Sequence, residues 1–398
     1  MGGGGKCLPN SSFPDTATHP ESLSKPSPNA IGCYDYTVAE QSDASKAESF
    51  SFSQSASEDE RESKVFMALM ESYCSSRAQS RAALDDEKLA ILRHKPGDWI
   101  ENVAGFAVEN YDIPEITTLL LIGPQGSGKS SLVNRITRAF DENSSGLDRA
   151  QVSYARTGEG TCFLQEYPIP RNSGTLCVYD TRSLSLVPSE NLHLLMRWMT
   201  NGVVHGEMAF HISDDAIKKN KMKIKAKNLH GYFCKKRTVN FVILVVNGVS
   251  ILESMESKET QYIDMIVQTF NSPYVAFRDN KPAVVITHGD KLSFHDRAFV
   301  RAKLGELLGI PPCMQIFDIP ENTDNVTEAS IVNLLRFCIE NSDRNLPPKR
   351  TFWIEAQQSL KKICSIMQQQ NPFEVLILFV SCFVSIYALV RIIVLQME

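Results

Sequence analysis

The sequence predicts an α/β fold in which a mostly parallel sheet lies between two layers of helices. Two observations carry this. Short apolar runs alternate with helical patterns through the middle of the chain. One of these runs, Ile116–Ile122, leads straight into the glycine-rich stretch Gly123-Pro124-Gln125-Gly126-Ser127-Gly128-Lys129-Ser130, and a helical pattern then extends from Ser130 to Phe140.

Residues 1–62 are rich in Ser, Pro, Gly and Ala, with too little apolar surface to offset chain entropy, and read as a disordered tail. The start, Met1-Gly2-Gly3-Gly4-Gly5-Lys6-Cys7, lacks the Ser or Thr that an acylation signal places where Lys6 stands, so it reads as flexible linker. Residues 63–109 form a helical lead-in. From Glu62 to His94, Val65, Phe66, Leu69 and Tyr73, then Leu84, Leu89 and Leu92, recur at helical spacing until Pro96-Gly97 stops the pattern.

The main domain is expected over 110–345. Further strand-like runs fall at Thr161–Pro168, Gly174–Asp180, Val239–Asn247, Ala283–Thr287 and Met314–Ile319, which with Ile116–Ile122 makes a six-stranded sheet. Helical stretches lie near 189–200, 256–270, 295–308 and 325–341. Leu346-Pro347-Pro348 marks a boundary, and 346–372 reads as linker and charged helix. Phe373–Leu395 is almost wholly apolar; at ~1.5 Å per residue it reaches roughly 34 Å, enough to cross a bilayer as a transmembrane helix. Lys349, Arg350, Lys361 and Lys362 precede it and only Gln396, Met397 and Glu398 follow, which predicts a tail anchor with the amino-terminal part in the cytosol. The absence of a basic cluster after the span points to the endoplasmic reticulum or a plastid envelope.

A net charge of -5 gives no general case for nucleic-acid binding. The 10 cysteines are scattered, without a CxxC pair or metal-ligand spacing, which fits a reducing, cytosol-facing chain. Positive charge is local: Lys218, Lys219, Lys221, Lys223, Lys225, Lys227, Lys235, Lys236 and Arg237 lie in a surplus segment, 201–238, that reads as a solvated loop, with contact to anionic lipid head groups by 218–237 as the functional alternative.

Gly123–Ser130 fits GxxxxGK[ST], in which glycines let successive backbone N–H groups turn inward around phosphates. Lys129 is then expected to reach the terminal phosphates of a nucleoside triphosphate. Ser130 opens the helix whose positive end supports the anion, and its hydroxyl is placed to ligate Mg2+. Asp180, closing an apolar strand, is the candidate Mg2+ carboxylate. Thr157 and Thr161 lie in a polar, glycine-containing loop, and Thr161, just before a strand, is the choice to complete the metal shell and act beside Lys129 in catalysis.

Asp180-Thr181-Arg182-Ser183 departs from DxxG: Ser183 keeps the N–H that senses a γ-phosphate but lacks glycine's backbone freedom. Leu184 stands where some GTPases place a water-orienting Gln, which predicts slow hydrolysis. Thr287-His288-Gly289-Asp290 stands where GTPases carry [NT]KxD. Asp290 there reads the guanine edge and His288 stacks on the purine; a base-closing loop is expected after Phe317-Asp318-Ile319-Pro320.

Leu120-Leu121-Ile122-Gly123-Pro124 running into Gly128-Lys129-Ser130-Ser131, together with Asp180-Thr181 and Leu307-Leu308-Gly309-Ile310-Pro311, resembles GTPase-like proteins of the interferon-induced protein 44 type. It is more loosely similar to septin-like and chloroplast-import GTPases, the last of which share the tail anchor. The resemblance covers about 115–345. It implies a Ras-like P-loop NTPase G domain of six strands with the second antiparallel, and GTP with Mg2+ as ligands; two such domains packing as a homodimer would supply missing catalytic groups. Two other readings stay open: a scaffold that holds nucleotide without turnover, and an ATP-using P-loop enzyme.

Overall fold

In the computed structural model, residues 63–73, 81–104, 107–141, 148–152, 160–227, 235–257, 259–277, 280–322 and 324–349 are described. Runs without a charged residue form the central strands, β1 (Thr117–Ile122), β4 (Phe241–Asn247) and β5 (Ala283–Thr287), while β2 (Gln165–Pro168), β3 (Leu176–Asp180) and β6 (Ile316–Asp318) complete one sheet. Its order is β2-β3-β1-β4-β5-β6, and every neighbouring pair is parallel except β2 with β3. Side chains alternate between two cores. Leu119, Leu121, Val178, Ile243, Val245 and Val285 face one, and Leu120, Ile122, Tyr179, Val242, Leu244 and Ile286 face the other. Both faces are dry, which is why these strands read as continuous apolar runs rather than as alternating ones.

The helices are α1 (63–73), α2 (Arg81–Arg93), α3 (Ile100–Ala104), α4 (Lys129–Phe140), α5 (Pro188–Asn201), α6 (Ala216–Lys227), α7 (Gly248–Glu256), α8 (Gln261–Phe270), α9 (Phe294–Leu308), α10 (Pro312–Gln315) and α11 (Asn325–Arg344). α4 and α11 cover the first face; α5, α7, α8 and α9 cover the second. Leu84 and Ile91 of α2 join the first core, so the lead-in packs on the sheet domain through α11.

A buried carboxylate holds that lead-in in place. Asp343 accepts from Gly97 N (2.9 Å), Trp99 N (3.0 Å) and the His94 ring (2.9 Å). Asp343→Ala orphans two backbone donors in a dry site, and is expected to lower unfolding free energy by about 3 kcal/mol in denaturant titration. Next to this junction, Asp112 N donates to Pro347 O and Lys349 N to Asn110 O, both at 2.8 Å, which pairs the start of the sheet domain with its end.

Several elements differ from the sequence expectation. The helix expected near 256–270 is two, because Asn247 caps α7 eight or more residues early, and the Ser257 hydroxyl then accepts from Glu259 N and turns the chain out. Met314 and Gln315 belong to a helical turn behind Pro311-Pro312, and only Ile316–Asp318 pairs as strand. The strand expected from Thr161 begins at Gln165, since upstream Phe163 makes only an isolated bridge with Met208. The basic insertion holds a helix where a solvated loop was expected: Asp215 accepts from Lys218 N at 2.6 Å at the start of α6, and Met222 is buried. The tail (1–62), Thr157 and the apolar stretch 373–395 lie outside the described residues. Among the described residues no helix is long and apolar enough to cross a membrane.

Candidate nucleotide site

Everything singled out in Gly123–Ser131, at Thr161 and Asp180, and in Thr287–Asp290 comes to the carboxyl edge of the parallel strands. Ligands of open α/β sheets bind along this edge. β1 delivers the glycine loop, β3 ends on Asp180, and β5 ends on Thr287. Because β2 runs antiparallel to β3 with Gln165 opposite Asp180, the chain just before β2 arrives at the same edge, which brings Thr161 to Asp180.

The loop is shaped by close backbone approach. Gly123 has φ 154°, and a Cβ there would lie 2.1 Å from Val245 O. Pro124 lies beside Leu184, whose N–H donates to Gly123 O (2.9 Å). Gln125 and Gly126 form the exposed crest, and the buried Ser127 hydroxyl has no partner among the described residues. Gly128 caps α4 in the left-handed conformation and sits against the Thr287 side chain.

Lys129 is buried, and its ammonium donates to Gly123 O (2.9 Å), Pro124 O (3.1 Å) and Ser183 Oγ (3.4 Å). Burial pushes it down to about 8, against the pull of Asp180. Asp180 is fully buried; burial raises its carboxyl above the ordinary range, opposed by Lys129 and by the hydroxyls beside it. Asp180 Oδ2 accepts from Ser130 Oγ at 2.6 Å and from Thr161 Oγ1 at 3.2 Å, and the two hydroxyls are 3.4 Å apart. Asp180 Oδ1 has no partner among the described residues. Two hydroxyls and an under-satisfied carboxylate in one spot form an all-oxygen donor set that suits a hard divalent cation such as Mg2+.

At the other end, Thr287 Oγ1 lies 2.8 Å from Ser127 O and 2.9 Å from His288 Nδ1, which ties β5 to the glycine loop. His288 is left-handed (φ 60°), and burial, then Lys291, holds its imidazole below the ordinary value and so neutral. Together with Gly128, Ser131, Leu132, Arg135, Ile319 and Glu321 it lines a small pocket of about 30 Å³. Asp290 is exposed, and its Oδ1 accepts from Glu321 N (2.9 Å); Arg135 holds Ile319 O (3.1 Å) and Pro320 O. Glu321 therefore sits in the loop expected after Pro320.

Three residues with a bearing on the site had no sequence signal. Arg182, between Asp180 and Ser183, is buried and grips both oxygens of Asp214; its NH1 also reaches Ala209 O (2.8 Å). His211 donates from Nε2 to Ser183 O (2.9 Å). The segment after Asp180 is thus pinned to the insertion that precedes α6. These partners lie far apart in sequence and follow no period.

No family model and no curated protein matches the chain. Among solved structures it is similar to the signal recognition particle receptor SRb-GDP-Mg from Chaetomium thermophilum, at 14% identity over 49% of this chain and 71% of that one, with a TM-score of 0.28. It is also similar to Toc33 from Arabidopsis thaliana in complex with GDP and Mg2+, at 18% identity over 59% of this chain and 87% of that one, with a TM-score of 0.31. At these scores the fold assignment rests on this chain's own strand order and glycine loop.

Proposed function

We propose that the chain binds GTP with Mg2+ at this edge and acts as a slow, membrane-anchored nucleotide switch. The observation that carries the reading is the convergence of Ser130, Thr161 and Asp180 within hydrogen-bonding reach, with Lys129 held beside them by Gly123, Pro124 and Ser183, below a loop built for close backbone approach. The loop N–H groups and Lys129 hold the phosphates. Ser130, Thr161 and Asp180 would hold Mg2+, which when bound neutralises charge on the phosphate oxygens. Ser183 presents its N–H toward the terminal phosphate, the neutral His288 ring offers an apolar face to the base, and Asp290 accepts from the guanine edge.

Slow turnover follows from Leu184, which is 3% exposed and tied by its backbone to Gly123, so nothing at that position orients a water. A second copy packing across the nucleotide would supply the absent group, and hydrolysis per chain then rises with protein concentration. The same observation favours the second reading, a scaffold that binds without turnover. Single-turnover measurement with radiolabelled GTP separates the two: slow release of phosphate that disappears in Lys129→Ala supports the switch, and none at any protein concentration supports the scaffold.

Asp180→Asn keeps the shape and removes the carboxylate charge from the assigned metal shell of Ser130, Thr161 and Asp180. It is expected to remove the Mg2+ dependence of GTP affinity, read by titration in Mg2+ and in chelator; an unchanged Mg2+ effect counts against the assigned metal shell. The anchor rests on Phe373–Leu395, and a fluorescent fusion of residues 346–398 is expected to mark the endoplasmic reticulum or a plastid envelope. Uniform cytosolic fluorescence would remove the anchor from the account.

A further inference from the structure

The insertion between β3 and β4 does more than fill space. α6 reads Ala-Ile-Lys-Lys-Asn-Lys-Met-Lys-Ile-Lys-Ala-Lys, with six lysines and no acidic residue. Among the described side chains of α6, Met222 is the one buried, in a small cluster with Cys162 and Phe163. Facing solvent are Ile217 (67% exposed) and Ile224 (63%), seven residues apart and so on one side of the helix, with exposed Lys221 between them. Ile212, just upstream, is 71% exposed. Lone exposed aliphatics need no explanation. Ile217 and Ile224, interleaved with the α6 lysines, make a surface that is cationic and apolar at once, which is the composition of helices that lie in the head-group region of an anionic bilayer, and Ile212 adds apolar area upstream of Asp214 and Asp215. Single-stranded nucleic acid is the poorer fit, because α6 has no aromatic side chain on which a base could stack.

The foot of this helix is wired to the phosphate site. Lys218 pairs with Asp214 at 3.1 Å. Asp214 accepts from His211 N at 2.7 Å and takes the Arg182 guanidinium on both oxygens. His211 Nε2 then reaches Ser183 O, and the Ser183 hydroxyl accepts from Lys129. From the first turn of α6 to the lysine of the glycine loop the path is an unbroken set of charged and hydrogen-bonded contacts. Burial raises the Asp214 carboxyl, and Arg182, the His211 N–H and Lys218 outweigh it and keep it ionised.

We propose that α6, with Ile212, is a contact surface for anionic phospholipid head groups, and that the Lys218–Asp214–Arg182 bridge couples this contact to occupancy of the nucleotide site. The coupling half rests on the nucleotide reading above; the lipid half does not. An anionic surface that draws α6 outward loads the bridge to Arg182 and Ser183, and a γ-phosphate that engages Ser183 loads it from the other end. By linkage each ligand changes the affinity of the other by the same factor.

The test uses the full chain and vesicles of phosphatidylcholine with or without phosphatidylserine. An apolar carboxyl-terminal segment contributes equally to both, so the phosphatidylserine-dependent increment isolates the basic surface. Lys221→Glu with Lys223→Glu is expected to weaken that increment at least ~10-fold, since each lysine near such a surface contributes several-fold; Ile217→Ser with Ile224→Ser is expected to weaken it at high salt, where charge is screened. GTPγS with Mg2+ is expected to shift phosphatidylserine affinity at least ~3-fold, the size of a small coupling free energy. Asp214→Asn is expected to remove this shift and keep the increment; Lys218→Met, which also takes one cation from α6, is expected to remove the shift and lower the increment several-fold. An increment absent in the wild type, unaltered by the lysine reversals, or outcompeted by single-stranded RNA overturns the lipid assignment. An increment that ignores GTPγS in a protein that binds it overturns the coupling. A protein that shows the increment but binds no nucleotide refutes the nucleotide reading and leaves the lipid surface standing.

Discussion

Lys129→Ala is expected to lower affinity for GTP at least ~100-fold, equivalent to about 3 kcal/mol of charge-assisted contact, with little loss of fold stability. The two effects separate because of where the ammonium sits. It is buried, and burial brings it down to about 8, so the folded chain gains little from holding this charge. Its partners among the described residues are two loop carbonyls and a serine hydroxyl at 2.9–3.4 Å, with no direct ion pair. A triphosphate supplies a counter-charge in direct contact, which Asp180 at its greater distance does not. Titration calorimetry gives the affinity and denaturant unfolding gives the stability. Equal loss of both would mean that the lysine props the loop rather than binding ligand.

Gly123→Ala is the second large effect. The added methyl would stand 2.1 Å from Val245 O, a main-chain atom in the middle of β4, at a φ of 154°. Neither can move without opening the β1–β4 ladder, so a loss of ~3 kcal/mol or more in stability is expected, together with loss of nucleotide binding. Gly126→Ala is the control. It shares a positive φ of 76°, but no atom lies within 4 Å, so only backbone strain of ~1–2 kcal/mol is expected. Melting both variants with and without GTP distinguishes a packing role from a purely conformational one. Matching behaviour would show that the approach to Val245 is not what constrains the loop.

The parts of this site that were legible in the sequence are those in which local chemistry and position agree. A strand, a glycine loop and a helix in direct succession place Gly123–Ser130, and the end of an apolar run places Asp180. Thr161 was reached by its place before a strand; in the structure the antiparallel β2–β3 pairing brings it to Asp180. The centre of the sheet was legible because both of its faces are buried and β1, β4 and β5 are therefore continuous apolar runs. α6 was not: a helix whose described side chains bury one methionine among lysines leaves no stripe for periodicity to detect. The Arg182–Asp214 grip and the Asp290–Glu321 contact, each joining residues about thirty apart, were equally silent. Such pairs depend on how loops from different strands meet, which composition and spacing do not record. α7 was hidden for another reason: Asn247-Gly248, where the apolar run of β4 ends, reads as a turn, whereas in the structure Asn247 caps a helix at once.

The choice of base decides whether this is a guanine site, and Asp290 is the residue on which that choice turns. The direct measurement is the ratio of GTP to xanthosine triphosphate affinity in the full chain, for the wild type and for Asp290→Asn. An aspartate that accepts both donors of the guanine edge predicts a wild type that strongly prefers GTP over both ATP and xanthosine triphosphate, and a variant whose preference swings to xanthosine triphosphate. A variant with the same preference as the wild type, or a wild type that binds ATP as tightly as GTP, would contradict the account and return the site to the wider class of P-loop enzymes.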